Sequence, residues 1–160
     1  MSTNVHATCV AIDGHGVLIR GIPGSSKSEL ALRLIDAPGF GIGNTLLRAR
    51  LVADDQTALE LRADGVWASA PPALAGLLEL RGRGILSVSP VARVRLALVV
   101  DLMASTEINR LPEPHELVAE ILGQKLPRIP LDRAQPAAPA IVRASLVALL
   151  NQLPSPSGTS

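Results

Sequence analysis

The residues of this chain whose types and spacing could do chemistry lie first in Gly21-Ile22-Pro23-Gly24-Ser25-Ser26-Lys27-Ser28, which nearly fits G-x-x-x-x-G-K-[ST]. A loop of this kind cradles phosphate with backbone N–H groups, sends its lysine to the outer phosphate oxygens and offers its last hydroxyl to Mg²⁺. One position departs. Ser26 stands where the pattern has its second glycine, and a Cβ there crowds the phosphate or resists backbone angles that glycine takes freely. Lowered nucleotide affinity is the expectation. A second set of candidates is Asp54 and Asp55, which end the apolar run Leu51-Val52-Ala53. Adjacent strand residues face opposite sides, so one carboxylate can serve a metal or the scaffold and the other a substrate. A solvated turn explains the pair equally well.

These groups need elements to hold them. Gly16 to Arg20 is a short apolar run bounded by glycine and reads as a buried strand, and Ser28 to Asp36 carries Leu30, Leu34 and Ile35 at helical spacing. Strand, loop, helix is the order in which a helix N-terminus, with its unpaired N–H groups and partial positive charge, faces the loop. Upstream, Val5 to Asp13 reads as a strand and Asp13-Gly14-His15-Gly16 as a turn. His15 is then a solvated loop residue and His6 a partly buried strand residue. Ala37 to Asn44, rich in proline and glycine, predicts a mobile loop.

Further on, Thr57 to Arg62 and Val66 to Ser69 flank Ala63-Asp64-Gly65 as a hairpin, and Val94 to Leu102 is the most strand-like run of all. Asp101 near its end has the flavour of a Walker B acid, a weak match. Met103 to Pro114 reads as an irregular connection, and His115 to Lys125 has helical spacing between prolines, a pattern that does not decide its state. Leu126 to Leu131, with two prolines, suits an edge segment. Ala137 to Leu153 predicts an amphipathic helix packed on the sheet, and Pro154 to Ser160 a disordered tail after a single domain over 1–153. Many strands and one early helix imply α/β architecture with a mixed sheet and flanking helices.

Composition narrows the function classes. With 160 residues, 48% apolar, 18% charged and a net charge of +1, the chain is a globular domain with no bulk attraction to nucleic acid or membrane. Phe40 and Trp67 are its only aromatic residues, too few for a base-stacking platform. Cys9 is alone, which rules out an intramolecular disulfide or multi-cysteine zinc site and reads as a small buried residue. No basic, then apolar, leader opens the sequence and no run is long enough to span a bilayer, so a cytoplasmic protein is expected.

Taken in order, the motifs resemble the C-terminal catalytic domain of HPr kinase/phosphorylase, in particular the short form without the separate N-terminal domain. The likeness runs from about His6 to about Leu150. It rests on Ser26-Lys27-Ser28-Glu29-Leu30-Ala31-Leu32-Arg33-Leu34 at the helix start, on Leu51 to Asp55, on the signature-like Leu78-Glu79-Leu80-Arg81-Gly82-Arg83-Gly84-Ile85, on Arg110-Leu111 followed by Pro112-Glu113-Pro114, and on the distance of His6 before Gly21.

The resemblance implies a phosphoenolpyruvate carboxykinase-like fold, a P-loop in a mixed sheet, and ATP-dependent transfer of a phosphoryl group to a serine of the phosphocarrier HPr of a phosphotransferase system. It makes Lys27 the stabiliser of charge on the transferred group, Ser28 with Glu79 the holders of Mg²⁺, Asp55 with Asp54 beside it the acceptor of the serine proton, and His6 and Arg110 the completion of the phosphate site. A homo-oligomer is a further expectation of the same kind.

Three departures shape these expectations. Ser26 replaces the loop glycine, Ala37 to Arg50 is longer than the family's usual link, and the glycine- and arginine-containing segment used for the reverse reaction is not recognisable near Pro127 to Pro139. Kinase is therefore expected more readily than phosphorylase. Arg83 replaces a commonly apolar residue and reads as solvated. Two alternatives stand beside the kinase: a nucleotide-binding regulatory module that signals through a partner such as a sensor kinase, and a kinase of the same fold with another acceptor.

Overall fold

A computed structural model describes residues 1–24 and 26–152; Leu153 and the tail expected over Pro154 to Ser160 lie outside the described residues. The elements run β1 (Ser2–Val5), β2 (Thr8–Ile12), β3 (His15–Arg20), α1 (Lys27–Asp36), β4 (Ala49–Ala53), β5 (Thr57–Arg62), β6 (Gly65–Ser69), β7 (Leu77–Leu80), β8 (Gly84–Ser87), β9 (Arg93–Met103), β10 (Val118–Ile121), β11 (Gln124–Asp132) and α2 (Ala138–Gln152). The main sheet has the order β1-β5-β6-β9-β3-β2-β4, with β11 on β9 and β10 on β11, while β7 and β8 form a separate hairpin. β9 is parallel to β3 and β11 and antiparallel to β6, so the sheet is mixed, as the early single helix implies.

Central strands are buried on both faces. Along β2, Val10 and Ile12 enter one apolar cluster and Cys9 and Ala11 another; on β3, Val17 and Ile19 oppose Leu18 in the same way. The first cluster is covered by α1 through Leu30, Ala31 and Leu34 and by α2 through Ala138, Val142 and Leu146. The second is closed by the curl of the sheet itself, with Leu59, Val66, Ala119 and Ile121. Cys9 lies fully buried here, and burial pushes its thiol well above the ordinary range, so it is inert core rather than a nucleophile.

Several elements differ from the sequence expectation. Val5 to Asp13 is two strands, since β1 crosses to β5 and the chain turns at His6 before β2 begins. His15 opens β3 and is part-buried, its Nδ1 enclosed without a partner, rather than lying in a solvated loop. Helical spacing over His115 to Lys125 resolves into a 3₁₀ turn at Pro114–Leu117 followed by the β10–β11 hairpin, because Gly123 at φ 80° with Leu122 at φ 50° makes a tight two-residue turn. β11 spends its first half on β10 and its second on β9, which leaves one side of each half free for a proline without an N–H.

The expected mobile loop after α1 is tied down. Gly39 and Leu47 bridge antiparallel across it, and the buried Arg143 of α2 donates to Leu34 O at 2.6 Å and to Leu47 O at 3.2 Å. Arg143 thus caps the carbonyl end of α1 and holds the loop in one move. Burial without a carboxylate partner among the described residues lowers its pKa. At Gly41, φ is 56° and a Cβ would stand 2.6 Å from the backbone of Arg143, so only glycine fits.

Asp101 is not a free Walker-type acid. Arg20, opposite it on β3, grips both carboxylate oxygens at 2.7 and 2.8 Å, and Arg128 on β11 donates to it as well. Burial pushes this carboxyl up, yet the two guanidinium groups outweigh it and hold the pKa below its ordinary value of 3.8. Asp101→Asn should cost about 1–2 kcal/mol at pH 7, discounted for the partial exposure of the pair. Because the folded pKa is the lower one, this stabilisation is complete above the ordinary carboxylate range and is lost as pH falls through the depressed folded value. Urea denaturation of both proteins from pH 7 to pH 2 should therefore show a gap that closes only in strong acid.

Candidate active site

The loop after β3 enters α1 through Ser26, whose backbone sits at φ 73°, ψ 29°, in the left-handed region. The residue that replaces glycine therefore adopts the glycine conformation, at a cost of roughly 1–2 kcal/mol for a residue with a Cβ. Its side chain makes no cap hydrogen bond, so it does not occupy the N–H groups of the first turn of α1. Lys27 is buried, and its Nζ donates to Gly21 O at 3.2 Å and Ile22 O at 3.4 Å, across the start of the loop. Ser25 lies outside the described residues.

β4 returns antiparallel to β2 and delivers Asp54 to the same place. Asp54 is 6% exposed and accepts three hydrogen bonds: Ser28 Oγ at 2.6 Å, Thr8 Oγ1 at 2.9 Å and the Glu79 backbone N–H at 2.9 Å. Asp55 is exposed at φ 65°, its N–H donating to Thr8 Oγ1 at 3.2 Å. The two acids thus divide, one fixed into the scaffold and one offered to solvent. An open cavity of ≈ 420 Å³ lies between the loop and the β7–β8 hairpin; Pro23, Gly24, Ser26, Lys27, Ser28, Asp55 and Glu79 all line it.

Five described residues of the expected site are not among those lining the cavity: Gly21 and Ile22, whose carbonyls accept from Lys27, the buried Asp54, and His6 and Arg110. His6 is exposed in the turn between β1 and β2, two residues before Thr8, and Arg110 is exposed in the connection after β9. Two residues that the sequence did not announce contact this region, Thr8 behind the acids and Arg81 on the cavity wall. Thr8 orders both acids, and no signal in a β-strand threonine reveals that. Arg81 lines the cavity with Nη2 only 3.6 Å from where a Cβ on Gly24 would stand, and it belongs to the glycine-flanked stretch that drew notice for its Glu79. Among the described residues no three His, Cys, Asp or Glu side chains gather as a metal cage, and no helix is long and apolar enough to cross a membrane.

A sequence profile of the HPr Serine kinase C-terminal domain matches residues 1–152. The chain belongs to that family. HPr kinase/phosphorylase of Bordetella petrii is 34% identical over 144 residues, a match covering 83% of this chain and 43% of that protein. The Streptococcus thermophilus protein of the same name is 35% identical over 138 residues, covering 79% and 41%. This chain therefore spans less than half of those relatives. The structure of the Hpr(Ser) kinase/phosphatase from Coxiella burnetii superposes with a TM-score of 0.73 at 26% identity, over 93% of this chain and 90% of that one. The α/β class with a phosphate loop in a mixed sheet is the fold that this family membership carries.

Two substitutions separate the acids. Asp54→Asn keeps the volume but turns an amide N–H₂ toward donors, and should lower stability by about 1–3 kcal/mol. Asp55→Asn, at an exposed position whose left-handed backbone asparagine tolerates, should change it by less than about 0.5 kcal/mol. Urea titrations of both variants at pH 7 check this. Equal losses would contradict the division of roles. Ser26→Gly should raise stability by up to about 1 kcal/mol, because the φ it must adopt then costs nothing sterically; a lower denaturation midpoint would refute that account.

Proposed function

We propose that this domain is an ATP-dependent protein serine kinase whose acceptor is the phosphocarrier HPr. The observation that carries the reading is the pairing of a fixed and a free carboxylate at the mouth of a phosphate loop, Asp54 locked on Ser28 and Asp55 facing the cavity. Phosphoryl transfer asks the protein for position and charge more than for covalent chemistry. The N–H groups at the start of α1 would hold the phosphate chain. Lys27 would exchange its two carbonyl partners for phosphate oxygens, and Arg81 stands across the loop as a second cation.

The donor set suits Mg²⁺, which takes one or two carboxylates plus phosphates and waters rather than a full protein cage. Ser28 Oγ and the Glu79 carboxylate are the holders, and Asp54 orients the Ser28 hydroxyl. Bound there, the ion would neutralise charge on the phosphate oxygens. Asp55 would accept the proton of the acceptor serine as its Oγ bonds to the γ-phosphorus and the bridging oxygen leaves with ADP. His6 and Arg110 would approach from the neighbouring turn and connection. The likeness to relatives named HPr kinase/phosphorylase supports HPr as the acceptor, and a cytoplasmic setting goes with it. No observation favours the regulatory alternative, since Ser26 already has the backbone angles of the glycine it replaces.

Purified protein, ATP, Mg²⁺ and HPr from the same organism should yield HPr carrying one phosphoryl group on a serine, read by mass spectrometry. Lys27→Ala should abolish the product. Asp55→Asn should slow it by about 10²–10⁴-fold while leaving nucleotide binding within a few-fold. Nucleotide binding without transfer to HPr would overturn the proposed acceptor and move weight to another one. No nucleotide binding by either the wild type or Ser26→Gly would overturn the kinase reading.

A further inference from the structure

A cavity of ≈ 740 Å³ lies away from the phosphate loop. β2 and β4 run antiparallel to β3, so the phosphate loop, Thr8 and Asp54 share one end of the sheet, and the β2–β3 turn and Arg48 share the other, roughly 20 Å away along β3. There the sheet curls until β4 meets the segment leading into β9, with Val91 N–H donating to Leu51 O at 2.8 Å. That contact brings together two Arg-x-Arg pairs far apart in sequence, Arg48/Arg50 and Arg93/Arg95, all exposed and all lining the cleft.

Each pair owes its outward aim to strand alternation. Ala49 and Leu51 are buried beside Arg50, as Val94 and Leu96 are beside Arg95. Same-face residues along a strand repeat at about 6.4–6.8 Å, so each pair presents charge at that pitch. None of the four arginines is in a salt bridge among the described residues. Arg50 and Arg95 donate to backbone carbonyls, of Pro90 at 3.5 Å and Asp64 at 3.3 Å, which neutralise nothing. Against four guanidinium groups stand two carboxylates, and that of Asp64 already accepts the Trp67 indole N–H at 2.8 Å. The lining also includes apolar Ala11, Val91 and Val94.

We propose that this cleft docks an extended acidic polypeptide segment, with carboxylates at alternate positions meeting the paired arginines and the intervening side chains lying on the apolar part. The pitch is the argument. Alternate residues of an extended peptide recur at the same roughly 6.4–6.8 Å, whereas a single phosphate calls for N–H groups converging on one point, and no helix N-terminus lines this cleft. Nucleic acid fits less well, because Trp67 is the one aromatic residue present and the Arg62 guanidinium already lies 5.3 Å over its ring. The inference stands on the cleft alone and is independent of the chemistry proposed for the phosphate loop.

Trp67 is the sole tryptophan of a chain without tyrosine, so intrinsic fluorescence reports on this cleft directly. Titrating the full chain with a decapeptide of alternating Glu and Thr should give a saturable change that weakens as salt rises. Anisotropy of the labelled peptide gives a second readout. Arg93→Gln should weaken binding about threefold and Arg48→Gln/Arg93→Gln about tenfold, with the thermal midpoint and nucleotide binding unchanged. The proposal is overturned if the Gln/Thr peptide binds equally well, if neither readout detects the acidic peptide, or if inorganic phosphate alone reproduces the change. Tighter binding of a single-stranded oligonucleotide, or dimer formation over the same concentration range in size-exclusion chromatography, would also overturn it.

Discussion

The site depends on one buried carboxylate. Asp54 joins four segments that are distant in sequence: its own strand β4, the start of β2 through Thr8, the start of α1 through Ser28, and β7 through the Glu79 N–H. A carboxylate taken out of water is costly unless donors replace its hydration, and three do so here. Its position is in turn fixed by β4 pairing with β2 at Cys9↔Ala53. The long link between α1 and β4 does not disturb this geometry. Closure entropy grows only slowly with loop length, by about 0.6 kcal/mol per doubling, and Arg143 and the Gly39–Leu47 bridge fasten the loop at its neck.

Around that anchor the backbone is held in unfavourable angles. Ser26 and Asp55, one on each side of Ser28 and Asp54, both adopt positive φ without being glycine. Such residues persist only where the surroundings over-determine them. Here the surroundings are β2 and β3, buried on both faces, and the first turn of α1, whose Leu30 and Ala31 are buried against them. The rigid double-faced core thus supports local strain at its edge. Strain has a geometric result: Ser26 leaves the helix N-terminus uncapped, and Asp55 is turned out to solvent while its neighbour is turned in.

Much of this was legible in the sequence because it follows from local pattern. The phosphate loop, the helix after it, the β5–β6 hairpin, the long β9 and the closing helix are each set by periodicity or turn chemistry within a dozen residues, and the motif order already resembled the family to which the chain belongs. What escaped is what only tertiary contact decides. Asp101 looks the same in sequence whether it binds a metal or two arginines, and its partners Arg20 and Arg128 come from other strands. The apolar spacing of Leu117, Ile121 and Leu122 is helical on paper, yet Gly123 gives the turn that folds it into a hairpin. The arginine cleft is invisible for the same reason, since its two pairs lie more than forty residues apart and meet only because the sheet curls.

The Asp101 cluster also separates what is held from what is free. Arg20 immediately precedes the phosphate loop, so its two bonds to Asp101 fix the loop's base on β9. Arg128, bound to the same carboxylate, donates to Glu116 O, and the Glu116 side chain accepts from Asn109 and from the Glu113 N–H. The connection after β9 is therefore fastened near its far end to the strands that carry the loop, while Arg110 and Leu111 between these ties are exposed. Few buried apolar contacts and a solvent-facing backbone are the conditions for low local stability. The connection that carries Arg110 is thus anchored at its foot and exposed at its crest, while Lys27, Ser28 and Asp54 are held by hydrogen bonds of their own.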